Sequence, residues 1–126
     1  EYAARGGNMS KGYKYSGSND PNSVAWHNTF DLKGYPVEQK EPNELGIYGM
    51  TGNVWEWCSD WYHEKYYKSS PHTDPKGPKS GKWRVLRGGV WSNDDDSDFM
   101  CPSTGRYSSH PEDVRGRHSF RYVQEK

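Results

Sequence analysis

Apolar and polar positions alternate most regularly between Ile47 and Tyr62, in I-Y-G-M-T-G-N-V-W-E-W-C-S-D-W-Y. Side chains of a strand point alternately to its two faces, so Val54 to Cys58 predicts a strand between two packed surfaces. Ser59-Asp60 predicts the turn that ends it. Trp83 to Leu86 (W-R-V-L) reads as a second strand, stopped by Gly88-Gly89, and Ser119 to Val123 (S-F-R-Y-V) as a closing one. Glu1 to Arg5 is helix-compatible and Gly6-Gly7 ends that helix. No capping residue precedes Glu1, so the helix reads as one that starts in its middle. That predicts a fragment whose preceding portion is absent or supplied by a companion chain. Asn8 to Asn22 is polar loop, Val24 to Phe30 a strand edge or one helical turn, and Glu41 to Gly46 a turn. Tyr35-Pro36-Val37 is extended, because a residue before proline is pushed out of the α region. His63 to Lys82 predicts a long exposed loop and Asn93 to Asp98 an acidic one. The pattern contains no repeat, heptad or low-complexity segment.

Composition changes the expected core. Seven valines, one isoleucine and three leucines stand against six tryptophans, ten tyrosines and three phenylalanines. Aliphatic poverty alone suggests disorder, but disordered chains are also poor in aromatics and carry net charge. This chain of 126 residues has neither property, since seventeen basic side chains balance seventeen acidic ones. An aromatic core inside a compact, turn-rich fold of one domain at most is the expectation. Zero net charge argues against nucleic-acid binding through a basic field. No apolar run is long enough to span a membrane, and nothing at the start has the pattern of a signal peptide. Cys58 and Cys101 are too few for a disulfide scaffold and lack zinc spacing. One bridge between them is open if the protein is exported, against two partly buried free thiols.

Candidate chemistry is sparse. Asp94, Asp96 and Asp98 imitate the opening of a calcium loop, but Phe99 stands where that loop needs glycine and Gly105 where it needs glutamate. A solvated acidic loop is the favoured reading. Around Gly49 to Glu56, a turn through Gly52-Asn53 can aim backbone carbonyls inward beside the Glu56 carboxylate. From spacing alone, a tight turn before an aromatic strand is the stronger alternative. His27, His63, His72, His110 and His118 form no ligand or catalytic spacing, and no nucleophile or phosphate-loop motif is present. The residues alone do not identify an enzyme. The C-terminal stretch gathers Trp91, Arg106, Tyr107, His110, Arg115, Arg117, His118 and Tyr122, residue types that make contact hot spots. Arg87, Arg106 and Arg121 sit beside strand-like segments and are assigned to bonding backbone carbonyls.

Four segments resemble one family: E-Y-A-A-R-G-G (Glu1 to Gly7), Y-S-G-S-N-D (Tyr15 to Asp20), E-P-N-E-L-G-I-Y-G-M-T-G-N-V-W-E-W-C-S-D-W-Y (Glu41 to Tyr62) and R-V-L-R-G-G-V-W (Arg84 to Trp91). The family is that of the formylglycine-generating enzymes, or sulfatase-modifying factors. The resemblance covers essentially the whole chain. It implies an α+β, C-type-lectin-like fold, loop-rich with short antiparallel strands and incomplete at its N-terminus. Residues 1–126 would then be the C-terminal part of a single domain. It also implies a calcium ion held by the Gly52 and Val54 backbone and the Glu56 carboxylate, although the Asn or Asp usual at the Gly49 position is missing. The family's two copper-binding, catalytic cysteines would fall at Asn93 and about Asp98, neither of which supplies the soft thiolate copper(I) requires. Copper is therefore not expected. Cys101 matches instead a non-catalytic cysteine of the C-x-x-x-x-R type, ending at Arg106. The resemblance extends to the variable proteins of diversity-generating retroelements, which diversify the stretch after R-V-L-R-G-G. Ser92 to Asp98, Tyr107 to His110 and Gly116 to His118 contain only residue types that such mutagenesis reaches.

The expected function is a non-catalytic domain of the sulfatase-modifying-factor type. It would bind a protein or carbohydrate ligand through Trp91, Asn93, Asp94, Asp95, Asp96, Tyr107, His110, Arg117 and His118. Alanine at Tyr107 or Trp91 should then weaken binding with stability nearly unchanged, whereas Arg106 should be structural. One alternative is a retroelement-diversified receptor-binding protein. Another is a formylglycine-generating or related oxidase whose remaining site lies in a preceding portion. The partners expected exclude nucleic acid and a membrane span, and an exported or cell-surface location is favoured over a cytoplasmic one.

Overall fold

The computed structural model describes residues 1–27, 33–91, 102–114 and 117–123. Among the described residues, one short helix and six strands alternate with long irregular segments: α1 (Pro21–Val24), β1 (Ala25–Trp26), β2 (Thr51–Gly52), β3 (Trp55–Trp61), β4 (Arg84–Arg87), β5 (Tyr107–Ser109) and β6 (His118–Phe120). Single 3-10 turns occupy Gly7–Met9, Val37–Gln39 and Tyr66–Lys68. The main sheet has the order β5-β4-β3-β6, and β1 pairs parallel with β2 in a separate two-stranded ladder. Strand β3 is antiparallel to β4 and parallel to β6, while β4 is antiparallel to β5.

The expected strand at Val54–Cys58 exists, but the turn at Ser59-Asp60 does not, because β3 runs on to Trp61. Pairing with β4 overrides the local turn preference. The register shifts between Trp57 and Trp61, so the ladder accommodates the polar pair as an irregularity. The Arg84 guanidinium stacks over the Trp61 ring at 3.6 Å and also donates to the Ser59 carbonyl, holding the chain extended there. The expected loop before Asn22 contains the start of α1, with Asp20 capping the Asn22 amide and Pro21 at the first helical position. Strand β5 was not expected, and the closing strand is shorter and earlier than Ser119–Val123.

The first segment folds as one helical turn. Gly6, at φ 87°, closes it with paired bonds, from Gly6 N–H to Ala3 O at 3.1 Å and from Gly7 N–H to Tyr2 O at 2.9 Å. A side chain at Gly6 would meet the Glu44 carboxylate at 2.8 Å. The A-R-G-G and E-P-N-E-L-G motifs are therefore seated directly on each other.

Buried asparagines, more than regular structure, knit the loops together. The Asn43 side chain donates to Ala3 O (2.8 Å) and Ser16 Oγ (3.1 Å) and accepts from the Leu45 and Ile47 amides (3.0 Å each). Ser16 N–H reaches Thr51 Oγ1 at 3.1 Å, which extends the network to β2. Asn53, in the left-handed region at φ 66°, exchanges side-chain bonds with Tyr35 N–H and O at 2.9 and 2.8 Å. The hydrophobic cluster is Trp55, Leu86, Val90 and Trp91, with Val54 and Trp57 packed against it. Half of its buried members are aromatic, in keeping with the composition.

Candidate functional site: one sheet face and the Glu56–Arg121 clamp

Ladder registers place Tyr107, Leu86, Trp57 and Phe120 in one row across the sheet, with Trp55 opposite His118 two residues along. Tyr107 of β5 and His118 of β6, both expected ligand residues, thus lie on one face. Tyr107 is 56% exposed, and its ring stacks on buried Trp55 at 5.2 Å and 17°. His118 tilts against Trp57 at 4.9 Å, and its Nδ1 is buried with no partner among the described residues. His110 is exposed and meets the ring of Trp83 edge-on at 5.9 Å. Arg117 lies with its guanidinium 4.7 Å over the Trp91 ring.

Trp91 itself departs from expectation. Only 4% of it is exposed, and it belongs to the core cluster. Gly88 and Gly89, both with φ near +90°, redirect the chain after β4. Trp91 N–H then reaches Asn53 O at 3.0 Å, which seats the indole inside. It supports the loops and is not displayed by them. Asn93, Asp94, Asp95 and Asp96 lie outside the described residues, as does Cys101. The residues that the sequence reading missed are Trp83, 48% exposed, and Phe120, 70% exposed. An aromatic just before or at the end of a short strand was the available signal.

The arginines assigned to the scaffold do bond backbone carbonyls. Arg87 donates to Thr104 O and Gly105 O, Arg106 to His63 O and Glu64 O, and Arg121 to Gly49 O. Arg106 also stacks over Tyr67 at 4.4 Å and Tyr62 at 4.8 Å. Arg121 Nε additionally donates to Glu56 Oε1 at 2.6 Å. Burial pushes the Glu56 carboxyl above its ordinary value, and the Arg121 charge opposes that rise.

Calcium takes six to eight oxygen ligands, usually with several carboxylates. Near Gly52, Val54 and Glu56 the described side chains supply one carboxylate, already engaged by a guanidinium, and no cluster of three metal-ligating side chains exists among the described residues. Among the described side chains, the ion would thus find one carboxylate, already paired with Arg121. Cys58 carries a free, half-buried thiol whose pKa burial pushes up, with the Arg87 charge opposing. The thiolate is the reactive form. In the native protein, iodoacetamide at mildly alkaline pH should therefore label Cys58 more slowly than in urea, read by peptide mass mapping. Equal rates would show the thiol to be freely exposed.

Among the clefts that border β3 are two of similar size. One of about 610 Å³ is lined by Cys58, Trp61, Tyr66, Tyr67, Arg87 and Arg106. The other, about 720 Å³, includes Ile47, Met50, Trp57, Phe120 and Val123 in its lining.

Short strands in mixed sheets and much irregular backbone, an arrangement shared with the solved relatives, make this a C-type-lectin-like α+β fold. The sulfatase-modifying factor enzyme 1-like domain family matches residues 1–126, and the chain belongs to that family. It is 37% identical to a formylglycine-generating enzyme of Streptomyces coelicolor, over 96% of this chain and 43% of that protein. It is 35% identical to the serine/threonine-protein kinase Pkn1 of Chlamydia trachomatis, over 99% of this chain and 20% of that one. Among solved structures it resembles Treponema denticola variable protein 1, with a TM-score of 0.73 and 33% identity, over 94% of this chain and 42% of that one. The chain thus spans less than half the length of these relatives.

Proposed function

We propose that this domain is non-catalytic and binds a protein or carbohydrate ligand through the face and loops around Tyr107. The observation that carries the reading is the stacked Tyr107–Trp55 pair: an exposed ring held by a buried one presents contact area at little entropic cost. His110, Arg117 and His118 lie on or beside the same strands and add polar and cationic groups. Asn93 to Asp96, two to five residues after Trp91 in the sequence, are proposed as part of the same ligand set. Asn93 and Asp98 in place of a thiol pair argue against an oxidase. A peptide containing C-x-P-x-R, incubated with the protein, copper and oxygen, should show no aldehyde by mass spectrometry. Measurable formylglycine would overturn the non-catalytic reading and favour the oxidase instead.

The likeness to a protein named variable protein 1 favours a second, more specific reading, in which a retroelement diversifies these loops. A reverse transcriptase and a near-duplicate template repeat flanking the gene would be expected in that case, and their absence on sequencing would remove it. A further portion of the same domain, or a companion chain, is the second partner proposed. Phe120, Tyr122 and Val123, respectively 70%, 88% and 91% exposed, border the apolar cleft that it would cover.

A further inference from the structure

We propose that Arg121 supplies, from within the chain, the positive charge of the turn leading into β3, so that this turn is closed by a guanidinium clamp and not by a calcium ion. The Arg121 side chain spans two groups that come from separate segments. Its Nε donates to Glu56 Oε1 on β3 at 2.6 Å, and its Nη2 donates to Gly49 O, ahead of β2, at 2.7 Å. Arg121 itself follows β6, so one planar fork ties three segments of the fold. The pair is sheltered, with the Glu56 side chain 16% and the Arg121 side chain 34% exposed.

Charge and geometry both follow from this. One carboxylate and one guanidinium sum to zero, so the turn retains no net negative charge to attract a divalent cation. An ion within a few ångströms of the guanidinium would meet like-charge repulsion in a medium less polar than water. One Glu56 oxygen, which such an ion would need, already accepts from Arg121 Nε, and the neighbouring Gly49 carbonyl accepts from the same guanidinium. Gly49 has no side-chain oxygen to replace them. Leu, Val or Gln at position 121 would leave the carboxylate sheltered and unpaired, which is the costly arrangement for a charged group.

The test uses the whole chain. Melting temperature is measured in excess calcium and in excess EDTA, and calcium is titrated into the protein by calorimetry. The clamp predicts melting temperatures equal within about 1 °C and no binding heat. Arg121→Gln should lower the melting temperature by about 5 °C or more, and Arg121→Lys by less. Adding Glu56→Gln to Arg121→Gln should restore part of the loss, since the unpaired carboxylate is then gone. Calcium that raises the wild-type melting temperature, or binds with measurable heat, overturns the proposal. So does an Arg121→Gln chain as stable as wild type. Where Arg121→Gln does not fold, the wild-type measurements still decide.

Discussion

Trp91→Ala is expected to reduce the unfolding free energy by about 3–5 kcal/mol, the usual range for truncating a buried Trp or Phe. The indole is 4% exposed and packs with Trp55, Leu86 and Val90, the last two being 1% and 2% exposed. Alanine would leave a cavity that these neighbours cannot fill, since Leu86 is fixed in the middle of the sheet and Val90 follows two glycines of positive φ. It would also remove the ring under the Arg117 guanidinium. The backbone bond from position 91 to Asn53 O is kept, so the loss isolates the side chain. Tyr107→Ala provides the contrast. Its ring is already half in water, and removing it forfeits chiefly one stacking contact, about 1 kcal/mol. Urea denaturation of both variants measures the difference. For a domain whose whole stability is about 5–15 kcal/mol, the first substitution approaches the folding limit and the second does not. Equal losses for the two, or a nearly neutral Trp91→Ala, would return Trp91 to the displayed surface.

The family and its fold were legible because they reside in contiguous motifs, and the structure shows why those motifs are contiguous. Gly6 is flush against Glu44, Asn43 joins the first segment to Ser16, and Asn53 joins β1 to the chain after β4. Strands β3 and β4 were legible from alternation, and the scaffold arginines from their positions beside strands. Three features were not. The continuation of β3 through Ser59-Asp60 depends on cross-strand partners Arg84 and Trp61, which no local window contains. Strand β5 is three residues, Y-S-S, too short and polar to carry a period. Trp91 follows Val90 in what reads as an exposed loop start. Only the paired positive-φ glycines, a three-dimensional property, turn it inward. Of the candidate site, the residue types of the C-terminal face were readable, but their grouping was not. Tyr107 and His118 are brought to one face by sheet order β5-β4-β3-β6, which places sequence-distant strands in one row.

Asn43→Ala should cost about 3 kcal/mol or more, although the side chain removed is small and polar. At 5% exposure, Asn43 satisfies four groups at once: the Ala3 carbonyl, the Ser16 hydroxyl and the amides of Leu45 and Ile47. Each buried group left without a partner costs about 1–3 kcal/mol, and water entering the vacated space recovers part of that. The backbone bonds from Asn43 N–H to Ile47 O and from Gly46 N–H to Asn43 O remain, so the turn survives locally while its ties to the first segment and to Ser16 are cut. Hydrogen exchange should accelerate first at Leu45 and Ile47. Asn43→Asp separates the two halves of the side chain's work. It keeps the acceptor for both amides but sets a carboxylate against the Ala3 carbonyl, now 2.8 Å from the donor it would replace. That repulsion raises the folded-state pKa of the introduced carboxyl, so the folded form binds the proton more tightly than the unfolded one. Stability of Asn43→Asp relative to wild type should accordingly improve as pH falls through the raised value, because the protonated group donates again. Asn43→Ala should show no such recovery. A pH-independent deficit in Asn43→Asp, or an Asn43→Ala loss below about 1 kcal/mol with unchanged exchange at Leu45 and Ile47, would show that the loops are held by apolar packing and that Asn43 only follows them.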